Sequence, residues 1–162
     1  MNARASRYHE AAEHLLRRER VRVRGRRKAT TGVAYPDGSV IIPDVRGPIS
    51  FATAAHEVGH VVLGHSFNGR RLPRWVEEVE AWQYALDQFE SYGLAGYDRA
   101  YLDAARCVAY AFSKAIRRGV DPETIRERFP GWYSDALAHE KHACLTRAEA
   151  RARAREYSQA AM

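Results

Sequence analysis

Cysteine is scarce in this chain, because its 162 residues include only Cys107 and Cys144. The two cysteines are far apart in sequence and form no Cys-x-x-Cys pair. This spacing favours two buried thiols in a reducing cytoplasm over a disulfide. We therefore expect a cytoplasmic protein whose core forms without covalent cross-links.

Long apolar runs are also absent. No stretch approaches the roughly 20 apolar residues that cross a bilayer, and residues 1–14 lack the apolar core of a signal peptide. The sequence therefore predicts no membrane partner. With 46% hydrophobic residues, the chain can still bury a sizeable core.

Lysine is rare, since only 3 of the 26 basic residues are lysines, and the basic residues are unevenly placed. Residues 1–28 carry ten Arg or Lys against three Glu, a net charge of +7, whereas the remaining residues sum to −1. The basic run at 17–28 has two interpretations, a nucleic-acid-binding arm or an ordinary edge strand. Val21 and Val23 alternate with arginines, and no aromatic residues interleave to stack on bases, which favours the strand.

The most informative pattern is the sequence His56-Glu57-Val58-Gly59-His60. On a helix, residues four apart lie about 40° from each other around the axis. His56 and His60 can then offer two imidazole nitrogens to one zinc ion, with Glu57 beside them as a base. Ser50 is the expected N-cap of this helix and Gly64 its stop. The alternative is a buried helix whose histidines bond to neighbours, but it leaves the carboxylate of Glu57 unexplained.

Catalytic zinc usually has three protein ligands and a water, so a further ligand is needed. One known pattern places a glycine and a histidine three and six residues after the second histidine. Here those positions hold Leu63 and Ser66. An unbroken helix would turn His65 about 140° away from His60. We therefore expect His65 to be an outer-shell, substrate-side or capping residue.

The third ligand is expected from a second helix, at residues 75–86, which follows Pro73. Its candidates are Glu77, Glu78 and Glu80. Glu80 falls among the apolar positions and Glu77 shares that side, whereas Glu78 is expected to point away. The alternative for all three is a solvated acidic first turn.

Two segments resemble the ImmA/IrrE family of metallopeptidases. Residues 51–65 are similar to the active-site helix of that family, with its apolar lead-in and its Leu-Gly-His after the motif. Residues 78–85 are similar to a following Glu-x-Glu-Ala-x-x-aromatic-Ala pattern. The resemblance covers roughly residues 30–90 and implies that Glu80 is the third metal ligand. Family members of known function cut DNA-binding repressors or serve mobile elements and stress responses.

These residues lead to an expected mechanism. His56, His60 and Glu80 would hold Zn²⁺, and Glu57 would act as the catalytic base that accepts a proton from water. The oxyanion needs a further donor, and the sequence leaves His65, Tyr84 and Tyr35 as candidates. Asp87 is a candidate acceptor for a ligating imidazole.

The expected fold is α+β, with a small antiparallel sheet packed on a helical zincin-like core and a mostly helical C-terminal half. Asp37-Gly38 between two β-rich runs predicts a hairpin, and residues 39–43 are expected to offer an exposed edge to an extended substrate. Helices are predicted over 97–118, over 121–129 and from Ser134. We expect a single domain, 1–162, in which 1–28 is a basic helix or arm, 30–92 the catalytic core and 96–162 helical.

The sequence therefore predicts a zinc-dependent endopeptidase that cuts a protein or peptide, and the family resemblance implies a regulatory or repressor protein of a mobile element or stress response, such as a DNA-binding repressor, as one kind of substrate. The alternative is a catalytically silent protein on the same scaffold that docks DNA or a repressor, in a regulatory or anti-restriction role.

His139 and His142 are three residues apart, which misses the zinc spacing, so we interpret them as surface residues.

Overall fold

The computed structural model describes residues 3–65 and 72–138, with side chains from residue 7 onward. In this part of the chain the elements are α1 (Ala3–Arg18), β1 (Arg22–Arg27), β2 (Val33–Ala34), β3 (Ser39–Pro43), α2 (Pro48–Val62), α3 (Arg74–Ser91), α4 (Tyr97–Arg117), α5 (Pro122–Arg128) and α6 (Pro130–Ala138). The predictions for His139, His142 and Cys144 concern residues outside the described part of the chain, as Ser66 also is.

The chain divides into two compact units, residues 1–103 and residues 104–162. The predicted core, 30–92, lies within the first unit. There, α2 packs against α1, β3 and α3, and every residue from Ser50 to His60 is buried. A helix that is buried on all sides is centrally placed, so the motif residues lie in the interior of the first unit.

The sheet has the strand order β1-β3-β2, in which β3 runs parallel to β1 and antiparallel to β2. The α+β prediction is confirmed, and the sheet is mixed where an antiparallel one was expected. Val40 and Ile42 on β3 are fully buried, which suits a central strand. The expectation that residues 39–43 form an exposed edge is therefore wrong, because both edges of β3 are already paired. Within the described sheet, β2 is an edge strand.

Two helices of the first unit, α2 and α3, begin at or directly after a proline. Helix α2 begins at Pro48 with Gly47 as its N-cap, which lies three residues before the expected N-cap, Ser50. Ser50 lies inside the first turn, and its hydroxyl accepts from the backbone N–H groups of Arg46 and Gly47 at 2.9 and 3.1 Å. Ser50 therefore accepts hydrogen bonds from the N–H groups that precede the helix and is not itself the N-cap residue. Helix α3 starts directly after Pro73.

Helices α2 and α3 approach each other closely at Gly59. A Cβ atom there would lie 3.0 Å from Cδ1 of Tyr84 and 3.2 Å from the carbonyl oxygen of Ala81. About two turns away from Gly59 and Ala81, Phe51 and Phe89 pack edge to face with ring centroids 5.6 Å apart. The absence of a side chain at Gly59 lets α3 bring its polar residues within reach of α2.

The second unit contains α5, α6 and the later part of α4. Asp121 caps α5 as predicted, since its Oδ1 accepts from the N–H of Glu123 at 3.1 Å. Pro130 begins α6, whereas the sequence predicted a stop there and a helix only from Ser134. Proline is well tolerated in a first helical turn, which explains the difference. None of the described helices combines the length and apolarity needed to cross a membrane.

The basic run forms the end of α1 and the strand β1. Arg22 and Arg24 both pair with Asp37, at 2.6 and 2.5 Å, and Arg26 pairs with Glu13. The guanidinium of Arg24 also lies over the ring of Tyr35. These contacts favour the edge-strand interpretation of this segment, because three of its arginines are already engaged within the first unit.

Asp37 holds the β2–β3 turn against β1, and this contact generates a testable prediction. Hydrogen bonds from Ser39 and Arg24 hold the pKa of Asp37 well below its usual range. A depressed carboxyl pKa adds stability above the unfolded pKa of about 3.9, and this stability is lost as the pH falls through the folded pKa. We expect Asp37→Asn to be less stable than the parent at pH 7, with the difference narrowing below about pH 4. Urea unfolding between neutral and acid pH measures the difference in unfolding free energy between the two proteins. A difference that stays the same down to acid pH would show that ionised Asp37 does not stabilise the fold.

Candidate metal centre

Three side chains of the first unit converge in a group that could hold a metal ion. They are His56, His60 and Glu78. The Nε2 atoms of the two histidines are 3.1 Å apart, and the carboxylate oxygens of Glu78 lie 3.4 Å from Nε2 of His56 and 3.7 Å from Nε2 of His60. Ligands 2.0–2.1 Å from a tetrahedral zinc ion are separated by roughly 3.3 Å. The donor set and its spacing therefore fit a small divalent cation.

Helix geometry and an aromatic contact position the two histidines. The rings lie one turn apart on α2, with centroids 4.5 Å apart and planes at 84°. Trp82 of α3 stacks on His56 with a centroid distance of 4.2 Å. Glu78 lies one turn before Trp82 on the same side of α3, so one side of this helix both orients an imidazole and supplies a carboxylate.

The third residue beside the motif histidines is Glu78, and the choice of Glu80 is therefore corrected. Glu80 instead contacts His65, with Oε2 3.0 Å from Nε2. On α3, Ala81 faces Gly59, and Glu78 and Glu80 project to either side of it, about 60° and 100° away around the helix axis. The prediction of Glu80 assumed that the apolar side of α3 faces the metal. The signal in the sequence that could have indicated Glu78 is its four-residue spacing from Trp82.

His65 reaches the site because α2 ends before it. The N–H of His65 bonds the carbonyl of His60 at 3.0 Å, and the N–H of Gly64 bonds the carbonyl of Val61 at 3.1 Å. Gly64 has φ 69°, so the pair of bonds forms a Schellman cap. The cap turns the chain back and places Nδ1 of His65 2.9 Å from Nδ1 of His60. The expected rotation away from His60 does not occur, because it assumed a continuing helix.

The remaining candidates from the sequence lie elsewhere. Glu77 is buried and pairs with Arg74 at 3.5 Å. Asp87 accepts from the amide of Gln83 at 2.9 Å on the exposed side of α3. Of the three candidate oxyanion donors, His65 lines the cavity described next, and Tyr35 and Tyr84 are not among its described lining residues.

Glu57 faces a cavity of about 410 Å³ that the three converging side chains also line. Only 8% of Glu57 is exposed, and this burial raises the pKa of its carboxyl group, although the charge of His56 opposes the shift. The backbone N–H of Ala34 bonds the carboxylate. Gly32 lies so close that a Cβ there would be 2.4 Å from Cγ of Glu57. Contacts from Gly32 and Ala34, at and next to β2, therefore fix the position of the Glu57 side chain.

The protonation states of His60 and Glu78 suit metal binding. Burial and then the charge of His56 lower the pKa of His60 to about 2. Burial by itself would raise the pKa of Glu78, but the hydrogen bond from His56 and the charges of His56, His60 and Arg74 lower it to about 2. At neutral pH His60 is therefore neutral and Glu78 is ionised, which are the forms that coordinate a cation.

The chain has no match among protein-family models, curated proteins or solved structures. The resemblance to the ImmA/IrrE family therefore stays a prediction. What is known of the site comes from the geometry of its own residues.

The assignment of Glu78 predicts the outcome of a metal titration. Glu78→Gln removes an ionised ligand, and we expect it to weaken zinc binding by more than about 100-fold, since even outer partners of ligands are worth 10- to 100-fold. Glu90→Gln, an exposed position of the same helix, is the control and should bind like the parent. Calorimetric titration of the metal-free chain with zinc measures both. Undiminished binding by Glu78→Gln would rule out this ligand.

Proposed function

We propose that the protein is a metal-dependent peptidase in which Glu57 is the catalytic base. One observation carries the proposal. The carboxylate of Glu57 lines the same cavity as His56, His60 and Glu78 and is held there by β2. A base and a set of metal ligands that share one cavity form the arrangement used for metal-assisted hydrolysis.

His56, His60 and Glu78 would hold the metal, and two imidazoles with one carboxylate are a donor set typical of catalytic zinc. When bound, such an ion polarises a carbonyl and lowers the pKa of water from 15.7 to roughly 7. In this proposal His56, His60 and Glu78 supply the ligand atoms. Glu57 accepts the proton and then donates it.

Glu57 accepts a proton at its carboxylate as the oxygen of water bonds to the peptide carbonyl carbon. It then donates that proton to the amine nitrogen as the C–N bond breaks, so that a carboxyl product and an amine product leave. The raised pKa of Glu57 supports this role, because a stronger base takes a proton from water more readily. The hydrogen bond from Ala34 keeps the carboxylate directed into the cavity.

An extended peptide is the substrate that the cavity favours. Gly32, Val33 and Ala34 line it, and β2 is an edge strand of the described sheet. Backbone groups at a sheet edge bind an extended segment through main-chain hydrogen bonds. The segment first expected to offer this edge was 39–43, and its neighbour β2 takes that place in the proposal.

A docking protein without catalysis is the alternative, and Glu57 argues against it. Such a protein has no use for a buried carboxylate beside its metal ligands, since burying the charge is unfavourable. A regulatory or DNA-binding protein as the substrate remains a prediction from the family resemblance.

Glu57→Gln tests the catalytic proposal. The amide keeps the shape of the side chain but cannot accept the proton, so we expect hydrolysis to fall by about 10²- to 10⁴-fold with zinc affinity retained. The measurement is the appearance of new termini, by mass spectrometry, in a proteome-derived peptide mixture incubated with the zinc-loaded protein. Undiminished cleavage by Glu57→Gln would assign the base elsewhere. No cleavage by the parent under these conditions would favour the docking alternative.

Gly32→Ala tests whether the close approach of Gly32 fixes the position of Glu57. The new methyl group would overlap Cγ of Glu57 and displace its carboxylate. Because misplacing a catalytic group by about 1 Å can cost 100-fold in rate, we expect a loss of that order with zinc affinity retained. Gly25→Ala on β1 is the matched control, since a Cβ there meets nothing within 4 Å. The same peptide-cleavage assay applies, and full activity of Gly32→Ala would show that the approach of β2 does not position Glu57.

A further inference from the structure

Four side chains behind and within the candidate metal centre form a continuous series of hydrogen bonds. Nε2 of His56 lies 3.1 Å from Nε2 of His60, and Nδ1 of His60 lies 2.9 Å from Nδ1 of His65. Nε2 of His65 then lies 3.0 Å from Oε2 of Glu80. Each step joins two ring nitrogens or a ring nitrogen and a carboxylate oxygen, so each step requires one proton.

The carboxylate at the end of the series determines the direction of every bond. An ionised carboxylate only accepts, so His65 must donate to Glu80 from Nε2. A neutral imidazole has one N–H, so Nδ1 of His65 is left as an acceptor, and His60 must donate to it from Nδ1. Nε2 of His60 then carries a lone pair and accepts from Nε2 of His56, whose N–H is shared with Oε2 of Glu78 at 3.4 Å. The series therefore runs from His56 to Glu80.

We propose that Glu80 and His65 are positioning residues that hold His60 in the tautomer whose Nε2 lone pair faces His56 and Glu78. This inference rests on the proposed function only in calling that nitrogen a metal ligand. The tautomer itself is a property of the metal-free chain. Hydrogen bonds from ligating imidazoles to outer acceptors are a general means of orienting them, and here a second histidine is interposed between ligand and carboxylate.

The surroundings of His65 make this direction hard to reverse. His65 is 1% exposed, and the Schellman cap at Gly64 holds its backbone in place. The side chain of Glu80 is 29% exposed, so the charged end of the series lies towards solvent and the neutral members lie inside. Reversal would turn the lone pair of Nε2 of His65 towards the carboxylate of Glu80, which only accepts, and would lose that hydrogen bond.

His56 and His60 therefore differ in the nitrogen that carries the proton before a metal binds. His60 already presents its lone pair to the centre, whereas His56 has its proton on Nε2 and must move it to Nδ1 before that nitrogen can coordinate. Nδ1 of His56 is buried and has no hydrogen-bond partner among the described residues. Only one of the two imidazoles has to change tautomer when the site is loaded.

Nitrogen-15 NMR of the full, metal-free chain at neutral pH tests the tautomers directly. We expect an N–H at Nδ1 of His60 and at Nε2 of both His56 and His65, with the resonances assigned from single His56→Gln, His60→Gln and His65→Gln variants. An N–H at Nε2 of His60, or a doubly protonated His65, would overturn the proposal.

Two substitutions at Glu80 separate a positioning role from a ligand role. Glu80→Gln keeps an oxygen that accepts from His65, so we expect the His60 tautomer to persist and zinc affinity to fall by less than about tenfold. Glu80→Ala removes the acceptor, and we expect a 10- to 100-fold loss of zinc affinity with mixed His60 tautomers. Glu90→Ala on the same helix is the control. Equal losses in Glu80→Gln and Glu80→Ala, or no loss in either, would overturn the proposal.

The outcomes also distinguish this inference from the proposed function. If the chain cleaves no peptide but shows the expected tautomers and the expected order of zinc affinities, the peptidase proposal fails and the positioning role stands. If cleavage depends on Glu57 but the His60 proton lies on Nε2, the positioning role fails and the peptidase proposal stands. Native-like spectra of both Glu80 variants exclude misfolding as the cause.

Discussion

The structure depends on one constraint, which is that α2 carries two imidazoles and a carboxylate into the interior of the first unit. Buried polar groups destabilise a fold unless they find partners. The partners here come from three directions: β2 reaches Glu57, α3 supplies Glu78 and the ring of Trp82 for the histidines, and the chain after α2 returns His65 to His60. The arrangement of these elements around α2 is therefore also the arrangement of the candidate site.

Close approach of the backbone makes these contacts short. Gly59 brings α3 against α2, and Gly32 brings β2 against Glu57, and in both places even a methyl group would meet atoms at 3.0 Å or less. Proximity of this kind lets fixed backbone groups, such as the N–H of Ala34, act on the site in place of mobile water. A site built in this way is preorganised, because its charged groups need little rearrangement when a ligand or substrate arrives.

Glu78 and Glu80 illustrate how one helix can supply both a candidate metal ligand and the support for a second candidate ligand. They flank Ala81, so each reaches a different part of α2. Glu78 lies beside the two Nε2 atoms, and although its burial opposes the shift, the hydrogen bond from His56 helps to lower its pKa to about 2. Glu80 acts at a distance through His65 on the opposite nitrogen of His60. Glu78 thus lies beside Nε2 of His60, and Glu80 is linked through His65 to Nδ1 of the same ring.

Local features of the sequence were sufficient for much of this description. The spacing of His56 and His60 determined that both lie on one side of a helix, and Asp37-Gly38, Pro73, Gly64 and Asp121-Pro122 marked turns and helix ends, because such signals act over a few residues. Three things were decided only by tertiary structure. They are the central place of β3, the choice of Glu78 over Glu80 and the return of His65 to His60. Each depends on which side of an element faces its neighbour, and periodicity along one helix does not report the angle at which a second helix crosses it.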